Sequence, residues 1–348
     1  MNVNGWAPGG AFCFCAVSSG RLGITKGKDM ILQQKRVFGR TGVEVTPLAI
    51  GTSAWGPRRA GETEEDRDFR IGAIADRFFA GKLESNLIDT ANMYGGAQSE
   101  SLIGRALCRC GGIAEGLVLQ TKLDRDVGDG RFDGERMWVS IHESLDRLGV
   151  DRVQVLYLHD PEVIGFDAAM DDGGPVEALV EMKRQGIADA IGISGGPVGM
   201  LKQFVETDLF DALVTHNRWT LLDRSAGALL DAAAARNVGV TNGAPYGAGI
   251  LNGDPRFVGS YGYKPIHAVT RRAFEGMSAL CEEAGVPIAA AALQFSMRDP
   301  RVHSTIVGIN TVERAEKTAA LAKMVIPDSL WEALDELTPP ANVALDLI

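Results

Sequence analysis

Positive charge is in short supply in this chain: Lys and Arg number 35 against 45 Asp and Glu, a formal net charge of −10. Binding along a phosphate backbone needs a clustered excess of Lys and Arg, so the balance argues against nucleic acid and points to a small-molecule partner. Long apolar runs are missing too. No stretch approaches the roughly 18 apolar residues of a membrane-spanning helix, and no membrane partner is expected. Residues 11–18 are apolar, but no basic residue precedes them, which makes a poor signal peptide; the expectation is a cytoplasmic protein. Cysteine is sparse at five, an odd count that fits reduced thiols rather than a disulfide framework. Cys13 and Cys15, and likewise Cys108 and Cys110, form Cys-x-Cys pairs. Residues two apart on a helix do not share a face, and no Cys/His pair at zinc spacing accompanies them, so no metal is expected. The chain also lacks Gly-x-Gly-x-x-Gly after its first candidate strand, where residues 48–55 carry Gly51 alone. That absence disfavours a doubly wound dinucleotide-binding sheet.

What is present is ordinary globular material, 45% hydrophobic and 23% charged in 348 residues. The first thirty or so residues are Gly-rich and aperiodic, so residues 1–34 read as a loose extension, with Met30 an alternative start. Residues 35–348 read as one domain. From Val37 the sequence Val-Phe-Gly-Arg-Thr-Gly-Val-Glu-Val predicts a β-hairpin turning at Gly39 to Gly42, placed to cover the bottom of a barrel. Eight short β-rich runs follow, at 48–52, 86–90, 117–122, 153–159, 188–194, 211–217, 238–243 and 304–308. Helical spacing intervenes. Trp138, Ile141, Leu145 and Leu148 form one face that Gly149 is placed to stop, and Val176, Leu179 and Val180 form another that ends before Gly186. Eight β-then-α units predict a closed (β/α)8 TIM barrel, here with the N-terminal hairpin and an extra C-terminal helix.

The C-terminal ends of barrel strands converge on one mouth, where active sites sit. The polar residues at those ends are Asp89, Lys122, His159, Ser194, Asn217 and Asn242. Ionisable groups closing apolar strands are costly to desolvate unless they pair or do chemistry. Singly, each reads as a structural ion pair or a satisfied core group, and Tyr94 as a packed aromatic. Together, three successive strands bring an acid, a base and an imidazole to one rim. His142, His267 and His303 lack this placement and receive no role.

Ile88-Asp89-Thr90-Ala91-Asn92-Met93-Tyr94-Gly95 with Ser99-Glu100, then Gln120-Thr121-Lys122, then Leu156-Tyr157-Leu158-His159-Asp160 resemble the corresponding segments of the aldo-keto reductases, over about residues 37–334. The resemblance implies a catalytic group of Asp89, Tyr94, Lys122 and His159. In it Lys122 would lower the phenol pKa of Tyr94 from near 10, Asp89 would hold the ammonium, and His159 would orient the substrate oxygen. It also implies a nicotinamide cofactor. Gly51 and Thr52 after the first strand, Ser194 after the fifth and His216, where the family commonly has Gln, fall among the cofactor positions. Gly195 stands where Asn is usual, and Gly243 replaces an aromatic that often stacks on the nicotinamide, with Tyr246 a substitute platform three residues on. The segment Ala244-Pro245-Tyr246-Gly247-Ala248-Gly249-Ile250-Leu251 resembles the pyrophosphate loop, or is simply a glycine-rich turn. Gly308, Asn310 and Arg314 match the adenosine-phosphate region. Asn310 sits where NADP-preferring members frequently carry a basic residue, which leans the expectation to NAD with NADP left open. Trp55 and Trp219 are expected either at the mouth, as stacking faces for substrate, or as rim packing. Arg218-Trp219-Thr220-Leu221-Leu222-Asp223, Gly249-Ile250-Leu251 and Ala292-Leu293-Gln294-Phe295 resemble the branch of D-threo-aldose 1-dehydrogenases, L-fucose and L-galactose dehydrogenases and pyridoxal 4-dehydrogenase. The resemblance therefore implies oxidation of a cyclic hemiacetal to a lactone. Two alternatives stay open: a general aldehyde or ketone reductase, and a non-catalytic nucleotide-sensing subunit resembling potassium-channel β subunits.

Overall fold

The computed structural model describes residues 32–347. Cys13, Cys15, the apolar residues 11–18 and Met30 lie outside them, as does most of the expected 1–34 extension. Leu32, at 1% exposure, packs into the main core, so packed structure begins inside the stretch read as loose.

The hairpin is a short antiparallel pair, β1 (Arg36–Val37) and β2 (Glu44–Val45). Gly39 turns it at φ 55°, and a Cβ there would stand 2.2 Å from the backbone nitrogen of Gly239. Only glycine allows that backbone-to-backbone approach. Phe38 and Val45 thereby plug the bottom of the barrel, beneath Ala49, Leu87, Val118 and Val155.

The units that follow are β3 (Leu48–Gly51), α1 (Glu64–Phe79), β4 (Leu87–Asp89), α2 (Gln98–Cys110), β5 (Val118–Leu123), α3 (Gly134–Leu148) and β6 (Val153–His159). Next come α4 (Phe166–Met170), α5 (Pro175–Arg184), β7 (Ala188–Gly195), α6 (Val198–Glu206), β8 (Ala212–His216), α7 (Gly227–Ala235) and β9 (Gly239–Gly243). A two-stranded excursion, β10 (Ser260–Tyr261) and β11 (Lys264–Pro265), precedes α8 (Ala268–Glu283), α9 (Ile288–Met297), β12 (Ser304–Gly308) and α10 (Val312–Lys323). The extra helix is α11 (Asp328–Glu336). Strands β3 to β9 and β12 pair in parallel and close, giving the (β/α)8 barrel.

Local chemistry sets these elements. Thr63 and Asp66 cap α1 reciprocally, each side chain accepting the other's backbone N–H. Gly149 ends α3 in the left-handed region at φ 67°, its N–H bonded to the Leu145 carbonyl. On α5 the buried face is Val176, Leu179 and Met182, while Val180, expected with them, is 36% exposed.

Period-two alternation along each strand sends one set of side chains into the barrel and the other under the helices. The lower interior is apolar, with Ala49, Leu87, Val118, Val155, Ala190, Ala212 and Ile306. Two or four residues on, the same inward faces carry Gly51, Asp89, Lys122, His159, Ser194, His216 and Gly308. The apolar filling thus supports a polar layer at the C-terminal mouth.

Candidate active site

Tyr94 is carried by the loop after β4, and that loop is braced from several sides. The Thr90 hydroxyl meets Ser99 Oγ at 2.9 Å, Ser99 Oγ donates to Thr52 Oγ1 at 2.7 Å, and Thr52 Oγ1 donates to the Asp89 carbonyl at 2.8 Å. Asn92 Nδ2 reaches the Ser140 carbonyl on α3 at 2.9 Å. Where the loop crosses the one after β3, a Cβ on Gly56 would stand 2.3 Å from the Gly95 Cα, so the crossing requires glycine.

The four residues of the sequence motif come together here. Lys122, 1% exposed, donates from Nζ to Asp89 Oδ1 at 2.7 Å, to the Thr90 carbonyl at 2.8 Å and to Tyr94 Oη at 3.2 Å. Its three protons are thereby assigned. The Tyr94 and His159 rings meet edge to face, 5.5 Å between centroids. Burial works against the Lys122 charge, but Asp89 and Tyr94 outweigh it and hold the ammonium above its ordinary pKa.

The phenol departs from expectation. Burial raises the Tyr94 pKa more strongly than Lys122 lowers it, with Asp89 adding to the rise. The neighbouring ammonium moderates the phenol without making it acidic, and Tyr94 is a protonated donor at neutral pH. The sequence reading counted the cation and left out desolvation.

Three contributors were missed. Asp124 Oδ1 lies 2.7 Å from His159 Nδ1, and its Oδ2 accepts the Met93 N–H at 2.9 Å. Burial opposes the imidazolium, yet Asp124 raises the His159 pKa above its ordinary value. Gln120 Nε2 donates to Asp89 Oδ1 at 2.7 Å, and Tyr157 Oη donates to Gln120 Oε1 at 3.2 Å. The spacing held the signal, because Gln120 and Tyr157 stand two residues before Lys122 and His159 on the same inward faces.

The other named residues divide. Ser194 is buried, faces inward and pairs in register with His159. His216 pairs with Gly243; burial and Arg218 depress its pKa to about 4, so it is neutral. Ala244, at φ 50°, starts a turn in which Gly247 lies under Tyr261 and Gly249 under Phe257. Leu251 is wholly buried, and its N–H is bonded to the Tyr246 carbonyl at 3.1 Å. Gly308 aligns with Gly51, and its carbonyl accepts from Arg314 Nε at 2.7 Å, while the Asn310 carbonyl accepts from Arg70 at 2.9 Å. A recess of about 160 Å³ is lined by Tyr246, Arg314, Lys317 and Asp254 among others. A larger one of about 380 Å³ lies beneath α10 beside Leu48 and Ser85 and contains none of the motif residues.

For five residues the structure chooses between the roles expected or shows other contacts. Trp55 is 0% exposed and its indole donates to the Ile309 carbonyl at 2.7 Å, tying two loops together instead of offering a face. Trp219 packs into the helix layer, 5.5 Å from the Phe295 ring with Arg301 over it at 4.9 Å. The Thr52 hydroxyl is consumed by the loop bracing above. Asn242 points outward to Ser296 of α9 and to the Trp219 carbonyl, each at 2.8 Å. Tyr246 is buried and lines the recess with Arg314 and Lys317 of α10.

Comparison with known proteins completes the picture. A profile described as the Aldo/keto reductase family matches residues 47–339. An L-galactose dehydrogenase of Arabidopsis thaliana is 28% identical over 290 residues, covering 82% of this chain and 86% of its own. A D-threo-aldose 1-dehydrogenase of a Pseudomonas species is 32% identical over 207 residues, 59% of this chain and 62% of its own. A pyridoxal 4-dehydrogenase of Microbacterium luteolum is 27% identical over 86% of this chain and 96% of its own. Among solved structures, the holo form of an aldo-keto reductase of Bacillus halodurans superposes with a TM-score of 0.71 at 20% identity, covering 90% of this chain and 99% of that one.

Proposed function

Because this chain belongs to the aldo/keto reductase family, and is therefore an oxidoreductase, we propose that it oxidises the cyclic hemiacetal of an aldose, or of a pyridoxal-like aldehyde, to the lactone. One observation carries the reading: a buried ammonium bridges Asp89 and the Tyr94 phenol at the mouth. The names of the three relatives, two aldose-type dehydrogenases and a pyridoxal dehydrogenase, support the substrate class.

The residues fit a nicotinamide dinucleotide. Gly51 and Ser194 face inward at the mouth, in register with Asp89 and His159. The Thr311-capped start of α10, Arg314 and Lys317 form a donor set suited to phosphate. Bound in oxidised form, the nicotinamide supplies the hydride acceptor. In its ionised form Tyr94 Oη takes the proton that leaves the hemiacetal hydroxyl, and Lys122, anchored by Asp89, stabilises that phenolate; the protonated form serves the reverse direction. His159, with Asp124 on Nδ1, presents Nε2–H to the substrate oxygen when protonated. We carry NAD as the cofactor on the strength of Asn310. Measured affinities for both dinucleotides test this, and a strong NADP preference would overturn the lean.

A second reading has its own support: a phenol that burial keeps protonated is set to donate, which suits reduction of an aldehyde or ketone. A panel of aldoses, pyridoxal and simple aldehydes, followed at the nicotinamide absorbance, separates the two. Formation of reduced cofactor with an aldose or pyridoxal supports the dehydrogenase; rapid reduction of simple aldehydes with no aldose or pyridoxal oxidation contradicts it.

A further inference from the structure

A further carboxylate, half-buried and unused by the Tyr94 cluster, stands at the end of the strands that carry His159 and Ser194. Glu162 lies in the single turn Pro161–Val163 that leaves β6 directly after His159 and Asp160. Its Oε1 accepts the Gly196 N–H at 3.0 Å, just past the end of β7. Its Oε2 is shielded from solvent and has no hydrogen-bond partner. The Cβ that Gly195 lacks would stand 2.6 Å from that oxygen, so a side chain there would displace the carboxylate. The Arg218 guanidinium lies over Gly196, but it is bonded to Asp346 and to the His216 carbonyl. Burial, with Asp160 adding to it, pushes the Glu162 carboxyl above its ordinary range. A buried acceptor left without a donor costs about 1–3 kcal/mol, and such a group in a native fold calls for a specific explanation.

We propose that Glu162 is a ligand-binding residue of the barrel mouth, its Oε2 accepting a hydrogen bond from a neutral N–H or O–H donor of the bound molecules. The donor is either the carboxamide of the nicotinamide or a hydroxyl of the substrate. The inference rests on the reading that the mouth takes both. Strand-end position does not single out Glu162, which lies in the turn beyond the strand.

The test compares wild type, Glu162→Ala and Glu162→Gln. Binding of NAD and of acetylpyridine adenine dinucleotide, whose ketone has no N–H, is read by quenching of tryptophan fluorescence; KM is read for an aldose and its deoxy analogues. If the carboxamide is the donor, wild type binds NAD about tenfold tighter than the analogue, and the gap closes in both variants. If a substrate hydroxyl is the donor, the KM gap between the aldose and one deoxy analogue closes instead. Glu162→Gln can still accept the Gly196 N–H, so a closed gap there at an unchanged thermal midpoint separates lost recognition from lost folding. Gaps absent from wild type, or persisting in both variants, overturn the proposal. A wild-type protein that binds neither dinucleotide nor sugar overturns the parent reading and this one with it.

Discussion

At the scale of single residues, the site separates two ways of managing a proton. Tyr94 keeps its proton because burial outweighs the ammonium beside it, and His159 has its pKa raised because Asp124 outweighs burial. Folded His159 holds its proton more tightly than a free imidazole. Its contribution to stability is therefore complete below about pH 6.5, the unfolded value, and is lost as pH rises through the raised folded value. The same titration removes the Nε2–H donor from the mouth. In the carbonyl-reducing direction kcat/KM should fall as pH passes that value, and Asp124→Asn should move the fall to lower pH; a pH–rate profile with an unmoved limb would contradict the pairing. Lys122→Met should cost about 3–5 kcal/mol of stability, read by urea denaturation, because Asp89 is left buried without its cation. A loss below about 1 kcal/mol would mean that the pair holds little. The juxtaposition of the four motif residues was legible at this scale because their spacing is distinctive. Asp124 and the turn of each indole were not, since sequence identifies the loop that carries Trp55 but not the Ile309 carbonyl it faces.

At the scale of elements, the eight strands were legible because each apolar run stops at a polar or glycine residue at the mouth. Helix faces were less so. Val180 fits the periodicity of α5, yet the buried stripe rotates towards Met182, because the angle at which a helix lies on the sheet is set by its neighbours. The hairpin gives the sharpest prediction. Gly39→Ala drives a Cβ into the Gly239 backbone at a positive φ and should cost about 2 kcal/mol. The midpoint of urea unfolding should drop with unchanged slope while the folded fraction keeps its turnover. An unchanged midpoint would show that the plug does not bear on the barrel floor.

At the scale of the molecule, the chain's last residues return to the mouth. Asp346 binds Arg218 at 2.7 Å and the Val198 N–H at 2.8 Å, and Asp223 accepts the Leu345 N–H at 2.7 Å. No residue pattern announced this strap, since its partners lie more than a hundred positions away. Removing the chain from Ala344 onward should lower the thermal midpoint by a few degrees and raise KM by freeing Arg218; unchanged values of both would make the strap idle. In the proposed reaction the barrel, polar layer and braced loop all serve one proton at Tyr94 Oη. Single-turnover measurement of Tyr94→Phe against wild type, with dinucleotide binding read in parallel, tests that most directly. The account predicts a loss of about 10²–10⁴-fold in the chemical step with cofactor affinity preserved; undiminished turnover in the phenylalanine variant would contradict it.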